Sequence, residues 1–526
     1  MKATARSSTR GAPRQVSRGS AHRASGRLAV AVLGLFALLG PRAAGQSPDP
    51  AGRAEPSWQA FLLAGDLNKR QSESALEEIG AGWDDRFTGM LIDVARFLPS
   101  PRSPRLSAEP SSSGGGGLAP DDDDGDLPSR GADFPAAVRQ PPGADVRQRI
   151  TSFLQKQTGK RFGDDLRAWR QWIWSQPAAP HRGLARFKAE LYARVDPRFR
   201  VFFPEGVKAG IRLDEVDWGG VGVNGIPPLH APKRVSTADA TYLRDNHVVF
   251  GIEVNGEARA YPKRILAWHE LATDSLGGVD LTIVYCTLCG TVIPYESRAG
   301  ERRFTFGTSG LLYRSNKLMF DQETGSLWSA LEGVPVVGSL VGSGLRLTFH
   351  AVVTTTWGEW KRDHPHTTVL SLDTGFQRNY DEGAAYREYF ATDRTMFETP
   401  VKDTRLKNKA EVLVLRPEVL GPGSQAVAIA VERLRREAVY GVDAGGRALV
   451  VITSRGGANR VYERGAHVFR TREGDAIVRD AAGGRWRATP QALVHETTGE
   501  RLAAVAAHRV FWFGWVAQYP DTVLHK

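Results

Sequence analysis

The spacing of the hydrophobic positions changes near residue 206. Before that point, large apolar residues recur at the three- and four-residue intervals of helices, in residues 46–98 and again in residues 146–205. After it, short runs of β-branched and aromatic residues alternate with Gly, Pro, Asn and Asp, and helical periodicity is thin. The pattern predicts an α+β multidomain protein, with small helical N-terminal segments followed by a large, predominantly β domain over residues 206–526.

Two helical segments precede the β region. The first contains residues 75–87, a stretch typical of part of a HEAT-type repeat, although repeat folds need about three units to bury a core. The second, residues 146–205, predicts three short helices. Its tryptophans favour a packing core, because each indole buries a large apolar area. We expect this helical N-terminal region to offer a surface to a protein partner.

Residues 99–145 have the composition of a linker. They contain several prolines, four consecutive glycines at 114–117 and four consecutive aspartates at 121–124. Few large apolar side chains accompany them, so this segment is predicted to be disordered. The aspartate run lacks the spaced ligands and closing glutamate of a calcium-binding EF-hand loop, which argues against a calcium site.

Residues 1–45 follow the pattern of a secretory signal peptide. An Arg-rich start leads into the apolar run 28–40, and small residues at 43–45 suit cleavage before Gln46. The run is shorter than the ~20 residues of a spanning helix. We therefore expect export to the periplasm or the extracellular space, with an uncleaved N-terminal membrane anchor as the alternative. No later segment is apolar enough to span a membrane.

The net charge does not indicate a nucleic-acid partner. The chain carries a formal charge of +11, but residues 1–45 supply eight of those charges and no acidic residue, which leaves +3 for the rest. Acidic residues are mixed among the remaining basic ones, so no basic surface of the kind that binds nucleic acid is predicted. The cluster Gly219, Gly220 and Gly222 lacks the lysine of a phosphate-binding loop, so no nucleotide cofactor is predicted either.

The strongest hairpin signal of the β region is Asn255-Gly256, which lies between the strand-like runs 248–254 and 258–261. Further strands are predicted at 303–306, 334–337, 345–353, 412–415, 426–431, 448–452, 460–462 and 508–515.

The only two cysteines of the chain, Cys286 and Cys289, are spaced Cys-x-x-Cys in a predicted turn. Residues 279–285 alternate as a strand does, and the β-branched run from Thr291 follows until Pro294. A thioredoxin-type pair lies at a helix N-terminus, but Gly290, the β-branched residues and Pro294 oppose a helix here. A cysteine pair in a hairpin turn is more typical of the metal-binding knuckle of zinc ribbons and rubredoxins.

Three hypotheses for the cysteine pair remain open. In the first, Cys286, Cys289 and His269 bind copper(I) or zinc, because thiolate and imidazole are ligands that both metals accept. In the second, the same pair is a thiol–disulfide redox centre. In the third, it is a structural element of a non-catalytic binding module. These hypotheses leave open whether the protein is an enzyme.

Other polar residues are candidates for lining the site. Glu270 follows His269 and would orient its ring. The strip formed by Arg314, Asn316 and Lys317 would hold an anion or form a surface ion-pair cluster. The remaining candidates are predicted either to line the site or to stabilise turns and loops, and they are Asp321, Trp328 and His364.

Several motifs resemble one family. They include Ala-Arg-Ala-Tyr-Pro at 258–262, Trp-His-Glu at 268–270, Tyr-Cys-Thr-Leu-Cys-Gly at 285–290 and Phe-Trp-Phe-Gly-Trp at 511–515. In this order they resemble the domain of unknown function numbered 3179, found in exported bacterial and archaeal proteins, over roughly residues 206–526. The resemblance supports the domain boundary and the candidate site, and it implies no activity. Thr287 stands where many members have proline in the cysteine turn.

Overall fold

Helices form the N-terminal part of the described structure. This computed structural model describes residues 55–99 and 143–526, which belong to one unit spanning residues 50–526. The predicted signal peptide and almost all of the predicted linker lie outside the described residues. The helices of this part are α1 (Trp58–Ala64), α2 (Lys69–Ala81), α3 (Phe87–Arg96), α4 (Ala144–Thr158), α5 (Leu166–Ser175) and α6 (Leu184–Ala193). The last three correspond to the three short helices predicted from the periodicity.

Side-chain caps define where several of these helices begin. The Ser57 hydroxyl accepts a hydrogen bond from the Ala60 amide at 3.3 Å at the start of α1. The Asp165 carboxylate accepts from the Ala168 amide at 2.9 Å at the start of α5. Each cap satisfies an amide that has no partner within its own helix, which stabilises the helix by about 1 kcal/mol.

The helices share a hydrophobic core with the first β-sheet. Trp169 of α5 and Leu318 of the β region belong to the same buried cluster. Asp217, at the start of the β region, accepts hydrogen bonds from Arg96 of α3 and Arg170 of α5, and all three side chains are buried. The change of periodicity near residue 206 therefore marks a change of secondary structure within a continuous core.

Strands dominate the described structure from residue 216 onward, which confirms the predicted fold class. In chain order they are β1 (Val216–Trp218), β2 (Leu229–His230), β3 (Arg234–Val235), β4 (Val248–Val254), β5 (Glu257–Pro262), β6 (Leu271–Leu276), β7 (Val279–Cys286), β8 (Thr291–Glu296), β9 (Arg298–Ala299), β10 (Arg302–Arg303), β11 (Phe306–Tyr313), β12 (Asn316–Asp321), β13 (Leu327–Ser329), β14 (Val334–Val337), β15 (Val353–Thr356), β16 (Thr368–Leu370), β17 (Glu411–Leu415), β18 (Val427–Ala430), β19 (Val439–Ala444), β20 (Arg447–Thr453), β21 (Asn459–Glu463), β22 (Phe469–Glu473), β23 (Ile477–Asp480), β24 (Arg485–Ala488), β25 (Ala492–His495), β26 (Arg501–Val505), β27 (His508–Phe511) and β28 (Val523–His525).

These strands form several mostly antiparallel sheets. The larger ones have the orders β1-β11-β12-β13-β14, β2-β6-β7-β8, β15-β4-β5-β16-β3, β27-β17-β18-β28 and β19-β20-β21-β26-β25-β24-β23-β22, and a small ribbon pairs β10 with β9. The Asn255-Gly256 hairpin is present between β4 and β5, and both turn residues have positive φ, 49° and 84°. These angles are those of a tight hairpin turn, which explains the strength of that sequence signal.

Short helices connect the strands. They are α7 (Lys263–His269), α8 (Trp357–Asp363), α9 (Arg387–Ala391), α10 (Pro417–Leu420), α11 (Val431–Arg436) and α12 (Trp512–Val516), with 3₁₀ turns at Pro197–Phe202 and Leu213–Glu215. Within the described residues, no helix has the length and apolar character needed to cross a membrane.

Three predicted strands were wrong in part. The strand predicted at 303–306 is interrupted, because β10 ends at Arg303 and β11 begins only at Phe306. The strand predicted at 508–515 ends at Phe511, and Trp512–Val516 form α12, in which all five residues are buried. Continuous burial of this kind fits a strand or a helix equally well. The strand predicted at 345–353 begins only at Val353. The residues before it are irregular, and their buried positions, which include Leu347, imitate the alternation of a strand.

Candidate functional site: a buried dithiol hairpin

The two cysteines lie at the tip of the β7–β8 hairpin, as the sequence predicted. Cys286 ends β7 and pairs with Thr291 of β8, and the intervening residues form the turn. Gly290 has φ +62°, and a β-carbon there would lie 2.8 Å from the ring of Phe511. The turn therefore requires glycine for both its backbone conformation and its packing.

The two sulfur atoms are buried and close together. Both cysteines are free, their Sγ atoms lie 2.8 Å apart, and the exposed fractions of the residues are 4% and 0%. The Cys289 Sγ also lies 3.2 Å from the carbonyl oxygen of Ser315. Amide groups of Lys317 and Cys289 donate hydrogen bonds to the Cys286 sulfur. The hairpin thus holds a dithiol in a shell of backbone dipoles.

The tight turn between β11 and β12 also lies against the sulfurs. Its central residues, Arg314 and Ser315, have positive φ angles of 47° and 63° although neither is glycine or asparagine. Arg314 is fixed by an ion pair with Glu215 and by a 2.8 Å hydrogen bond to the Ala517 carbonyl. Backbone strain of this kind persists only where the surrounding structure holds it, and here it places the Ser315 carbonyl beside Cys289.

A buried ion pair lies next to the dithiol. Lys317 Nζ is 2.7 Å from Glu270 Oε2, and both side chains are less than one-tenth exposed. Glu270 follows the end of α7 with φ 55°, and this left-handed conformation turns it away from the helix direction. The Tyr386 hydroxyl lies 3.3 Å from the other carboxylate oxygen. Because an unpaired charge is costly in such a place, Glu270 and Lys317 each depend on the other.

The environment separates the pKa values of the two thiols. Burial raises the pKa of the Cys289 thiol well above its usual range, and the neighbouring Cys286 and Glu270 raise it further. Burial acts on Cys286 in the same direction, but the hydrogen bonds from Cys289 and from the amides of Lys317 and Cys289 outweigh it, so the pKa of Cys286 is lowered. The surroundings therefore favour the thiolate form of Cys286 over that of Cys289.

Aromatic residues close the site. The Tyr389 hydroxyl donates a 2.7 Å hydrogen bond to the Leu288 carbonyl within the cysteine turn. Burial raises the pKa of Tyr389, as does the nearby Cys289. Lys409 Nζ lies 3.3 Å from the centroid of the Tyr389 ring, and burial lowers the pKa of this lysine to about 8. The buried Tyr389 is thus tied to the cysteine turn, and the half-buried Lys409 lies over the face of its ring.

His269 does not lie with the cysteines in a ligand group. Its Nδ1 donates to the Pro227 carbonyl at 2.8 Å, and its Nε2 accepts from the Tyr380 hydroxyl at 2.6 Å. Burial lowers the pKa of this imidazole. Among the residues that the structure describes, no three or more His, Cys, Asp or Glu side chains form a group able to hold a metal ion. The predicted ligand set of Cys286, Cys289 and His269 is not assembled, because both ring nitrogens of His269 bond to Pro227 and Tyr380. Glu270 pairs with Lys317 and does not orient the His269 ring as predicted.

Of the other predicted residues, Asn316 lies in the site, whereas Asp321 and Trp328 lie in a turn. Asn316 joins the site, since its Nδ2 donates to the Gly514 carbonyl at 2.9 Å and a β-carbon on Gly514 would lie 3.3 Å from the Cys289 sulfur. Asp321 instead accepts hydrogen bonds from Thr324 and from the Trp328 indole at 2.8 Å, so both Asp321 and Trp328 stabilise a turn.

His364 is also held in a packed environment. Its ring lies 3.9 Å from that of Trp360, and its Nδ1 is 3.2 Å from a carboxylate oxygen of Glu253. The sequence left open whether His364 lines the site or stabilises a loop, and these contacts are those of a residue that stabilises a loop.

Sequence reasoning missed Ser315, Tyr386, Tyr389 and Lys409. Tyr386, Tyr389 and Lys409 lie about 100 residues or more after the cysteines and reach them only through the fold, so no spacing rule could have found them. Ser315 stands inside the strip proposed as polar, between Arg314 and Asn316. Its contribution is a backbone carbonyl, which side-chain chemistry does not signal.

The fold and the site define a β-rich protein with a buried dithiol hairpin backed by an ion pair. The family described as "Protein of unknown function (DUF3179)" matches residues 223–522, so the chain belongs to that family. No curated protein matches the sequence, and no solved structure does.

Proposed function

We propose that Cys286 and Cys289 form a thiol–disulfide redox centre. The supporting observation is the pair of cysteine sulfurs 2.8 Å apart whose pKa values are shifted in opposite directions. A thiol with a lowered pKa beside one with a raised pKa suits a nucleophile and a resolving group. The buried Glu270–Lys317 pair supplies a charged group next to a resolving thiol that must lose its proton.

The proposed step consumes a disulfide as co-reactant. The Cys286 thiolate attacks one sulfur of that disulfide, the S–S bond breaks, and the first product leaves as a thiolate that takes up a proton. Cys289 then loses its proton to a base, and Glu270 is the candidate because its charge acts on both sulfurs. The Cys289 sulfur attacks the mixed disulfide and releases the second product. Two thiols of the co-reactant are formed, and the protein is left with a Cys286–Cys289 disulfide.

Burial restricts the co-reactant. The sulfurs are almost inaccessible, whereas Gly290 and Tyr285 line a cleft open to solvent. A small disulfide that enters by this cleft fits the proposal better than a disulfide on a folded protein, because both sulfurs are buried.

A redox titration of the full chain tests the proposal. The protein is equilibrated with mixtures of reduced and oxidised glutathione, quenched, and alkylated under denaturing conditions, and the thiols are counted by mass. We expect a single transition between two thiols and none, absent in Cys286→Ser and in Cys289→Ser. A dithiol that stays reduced at every ratio, or that is oxidised only after unfolding, would refute the redox function.

The thiol pKa values give a second readout. Because the Glu270 charge raises the pKa of both thiols, Glu270→Gln should shift the pH dependence of alkylation in the native protein to lower pH. Glu296→Gln is the control, since this carboxylate lies at the far end of β8 and pairs with His350. Equal profiles for the wild type and Glu270→Gln would contradict the assigned role of Glu270.

A soft metal ion is the second candidate ligand of the same sulfurs. The observation in its favour is the set of backbone amides directed at Cys286, which resembles the way a cysteine knuckle stabilises thiolates. Copper(I) suits two thiolates better than zinc does, because zinc needs four ligands. Elemental analysis of the untagged chain should find about one metal ion per chain, lost in Cys286→Ser. The absence of copper and zinc from both proteins would refute this candidate.

Two further parts of the proposal are supported by the sequence pattern. The signal-like residues 1–45 support export, and N-terminal sequencing of the protein from the expressing cell should give Gln46 as the first residue. The HEAT-like stretch 75–87 supports a protein partner for the helical region. An intact Met1 in a cytoplasmic fraction would contradict export.

A further inference from the structure

A cleft of about 570 Å³ opens beside the cysteine hairpin. It extends from Gly290 to the loop between β20 and β21, and Thr354–Thr356 of β15 form part of its wall. Phe250, Tyr285 and Phe511 give part of the lining an apolar, aromatic character. The cleft is large enough for a small organic molecule.

The lining of the cleft is also strongly basic. Among the described lining residues, the only carboxylate is Glu411, whereas the cationic side chains are Lys263, Arg435, Arg455, Arg472 and Arg509. Asp475 lies behind this wall and forms an ion pair with Arg472 at 2.6 Å, and the buried Glu359 lies behind Gly456. Even with these two carboxylates counted, the cations remain in excess.

Several of these groups retain donors for a ligand. Arg435 and Arg509 share one oxygen of Glu411 at 3.5 and 3.6 Å, which is longer than a hydrogen bond. The Nε and Nη2 atoms of Arg509 already donate to Asn459 Oδ1 and to the Gly457 carbonyl, so Nη1 is the atom of Arg509 left for a ligand. Arg472 Nε and the Thr355 hydroxyl are buried and have no hydrogen-bond partner among the described residues. A buried donor without a partner is costly, and a bound acceptor would remove that cost.

The ammonium group of Lys263 also retains donors for a ligand. Its Nζ lies 4.3 Å from the centroid of the Phe390 ring, and it makes no ion pair or hydrogen bond with any residue that the structure describes. Burial lowers its pKa, partly offset by Glu411. An anion placed between Lys263, Arg435 and Arg509 would be held by three positive charges, opposed by the one negative charge of Glu411, in a partly shielded site where charge-assisted hydrogen bonds are strong.

We propose that this cleft binds a small organic anion, with its carboxylate or phosphate group between Arg435, Arg509 and Lys263. The apolar part of the ligand then lies against Phe250 and Phe511. Guanidinium groups favour oxyanions of this kind because they donate two parallel hydrogen bonds. The inference does not depend on the redox proposal, since it rests on the walls of the cleft and not on the sulfurs.

Calorimetry with phenyl phosphate and benzoate tests the binding, at constant ionic strength and with benzyl alcohol as the neutral probe. Arg435→Gln is the test variant and Arg436→Gln its matched control. The two arginines are neighbours on α11 and equally exposed at 61%, but Arg436 pairs with Glu432 outside the cleft. Lys263→Gln is a second test variant, and thermal melts verify that each variant is folded.

We expect saturable binding of at least one anion, no binding of benzyl alcohol, and affinity lowered about tenfold or more in Arg435→Gln and in Lys263→Gln. Arg436→Gln should bind as the wild type does. The proposal is overturned if neither anion binds saturably at about 10 mM. It is also overturned if benzyl alcohol binds equally well, or if Arg435→Gln and Arg436→Gln have the same effect.

Discussion

Replacing Lys317 by methionine tests the buried charge network most directly. The change keeps the length and apolar stem of the side chain and removes only the ammonium group, which lies 2.7 Å from Glu270 Oε2. At that distance and an effective dielectric constant of about 20, the attraction is ~6 kcal/mol. The desolvation of two buried charges cancels much of this, so the intact pair contributes little net stability.

Breaking the pair costs more stability, because Glu270 would remain buried without its counter-ion. Loss of one partner of a buried pair costs about 3–5 kcal/mol. An unfolding entropy of ~2.1 cal/mol/K per residue over roughly 430 residues gives ~0.9 kcal/mol/K, so Tm should fall by about 3–5 °C. Differential scanning calorimetry or a fluorescence melt measures this shift.

Two controls make the result interpretable. Lys361→Met removes an ammonium group at the same 2.7 Å distance from Asp245, but this pair is exposed, so the cost should be at most ~1 kcal/mol. Adding Glu270→Gln to Lys317→Met removes the orphaned charge and should restore most of the lost stability. If Lys317→Met lowers Tm no more than Lys361→Met does, or if the double variant is no more stable than the single one, the reasoning is refuted.

Two further predictions concern the cysteine turn and acid stability. Gly290→Ala should cost about 2–5 kcal/mol, because the alanine would need a left-handed backbone and its β-carbon would also meet the Phe511 ring. Gly278→Ala, at φ +78° with open space around it, should cost only about 1–2 kcal/mol. Equal Tm values for the two variants would contradict the packing argument. His364 lowers the pKa of the Glu253 carboxyl below its ordinary 4.5, so this pair stabilises the fold above pH 4.5 and is lost as the pH falls through the lower folded-state pKa. Melts of wild type and Glu253→Gln between pH 6 and pH 3 should therefore converge at acid pH, and a constant difference would exclude this linkage.

The cysteine hairpin could be predicted because its determinants are local. Alternation before Cys286, β-branched residues after Cys289 and a glycine at Gly290 specify two strands and a turn without reference to the rest of the chain. Asn255-Gly256 is a comparable case. The family resemblance was confirmed over residues 223–522 for a related reason, since short motifs in a fixed order are readable in the sequence.

The strand predicted at 508–515 failed because its determinants are not local. Apolar residues in a short run are compatible with either a strand or a helix, and packing decides between them. Here all five residues of α12 are buried, so the burial of the run has neither the strand period nor the helix period. No feature of the run itself carries that information.

The sequence by itself determined the order of helical and β-rich regions, the dithiol turn and the position of polar residues near it. Only the tertiary structure decided which of those residues meet the sulfurs. His269 and Glu270 are adjacent in the chain, yet a single left-handed residue turns Glu270 to Lys317 and leaves His269 bonded to Pro227 and Tyr380. The physical reason is that periodicity and turn chemistry act over a few residues, whereas a buried charge selects its partner across the whole fold.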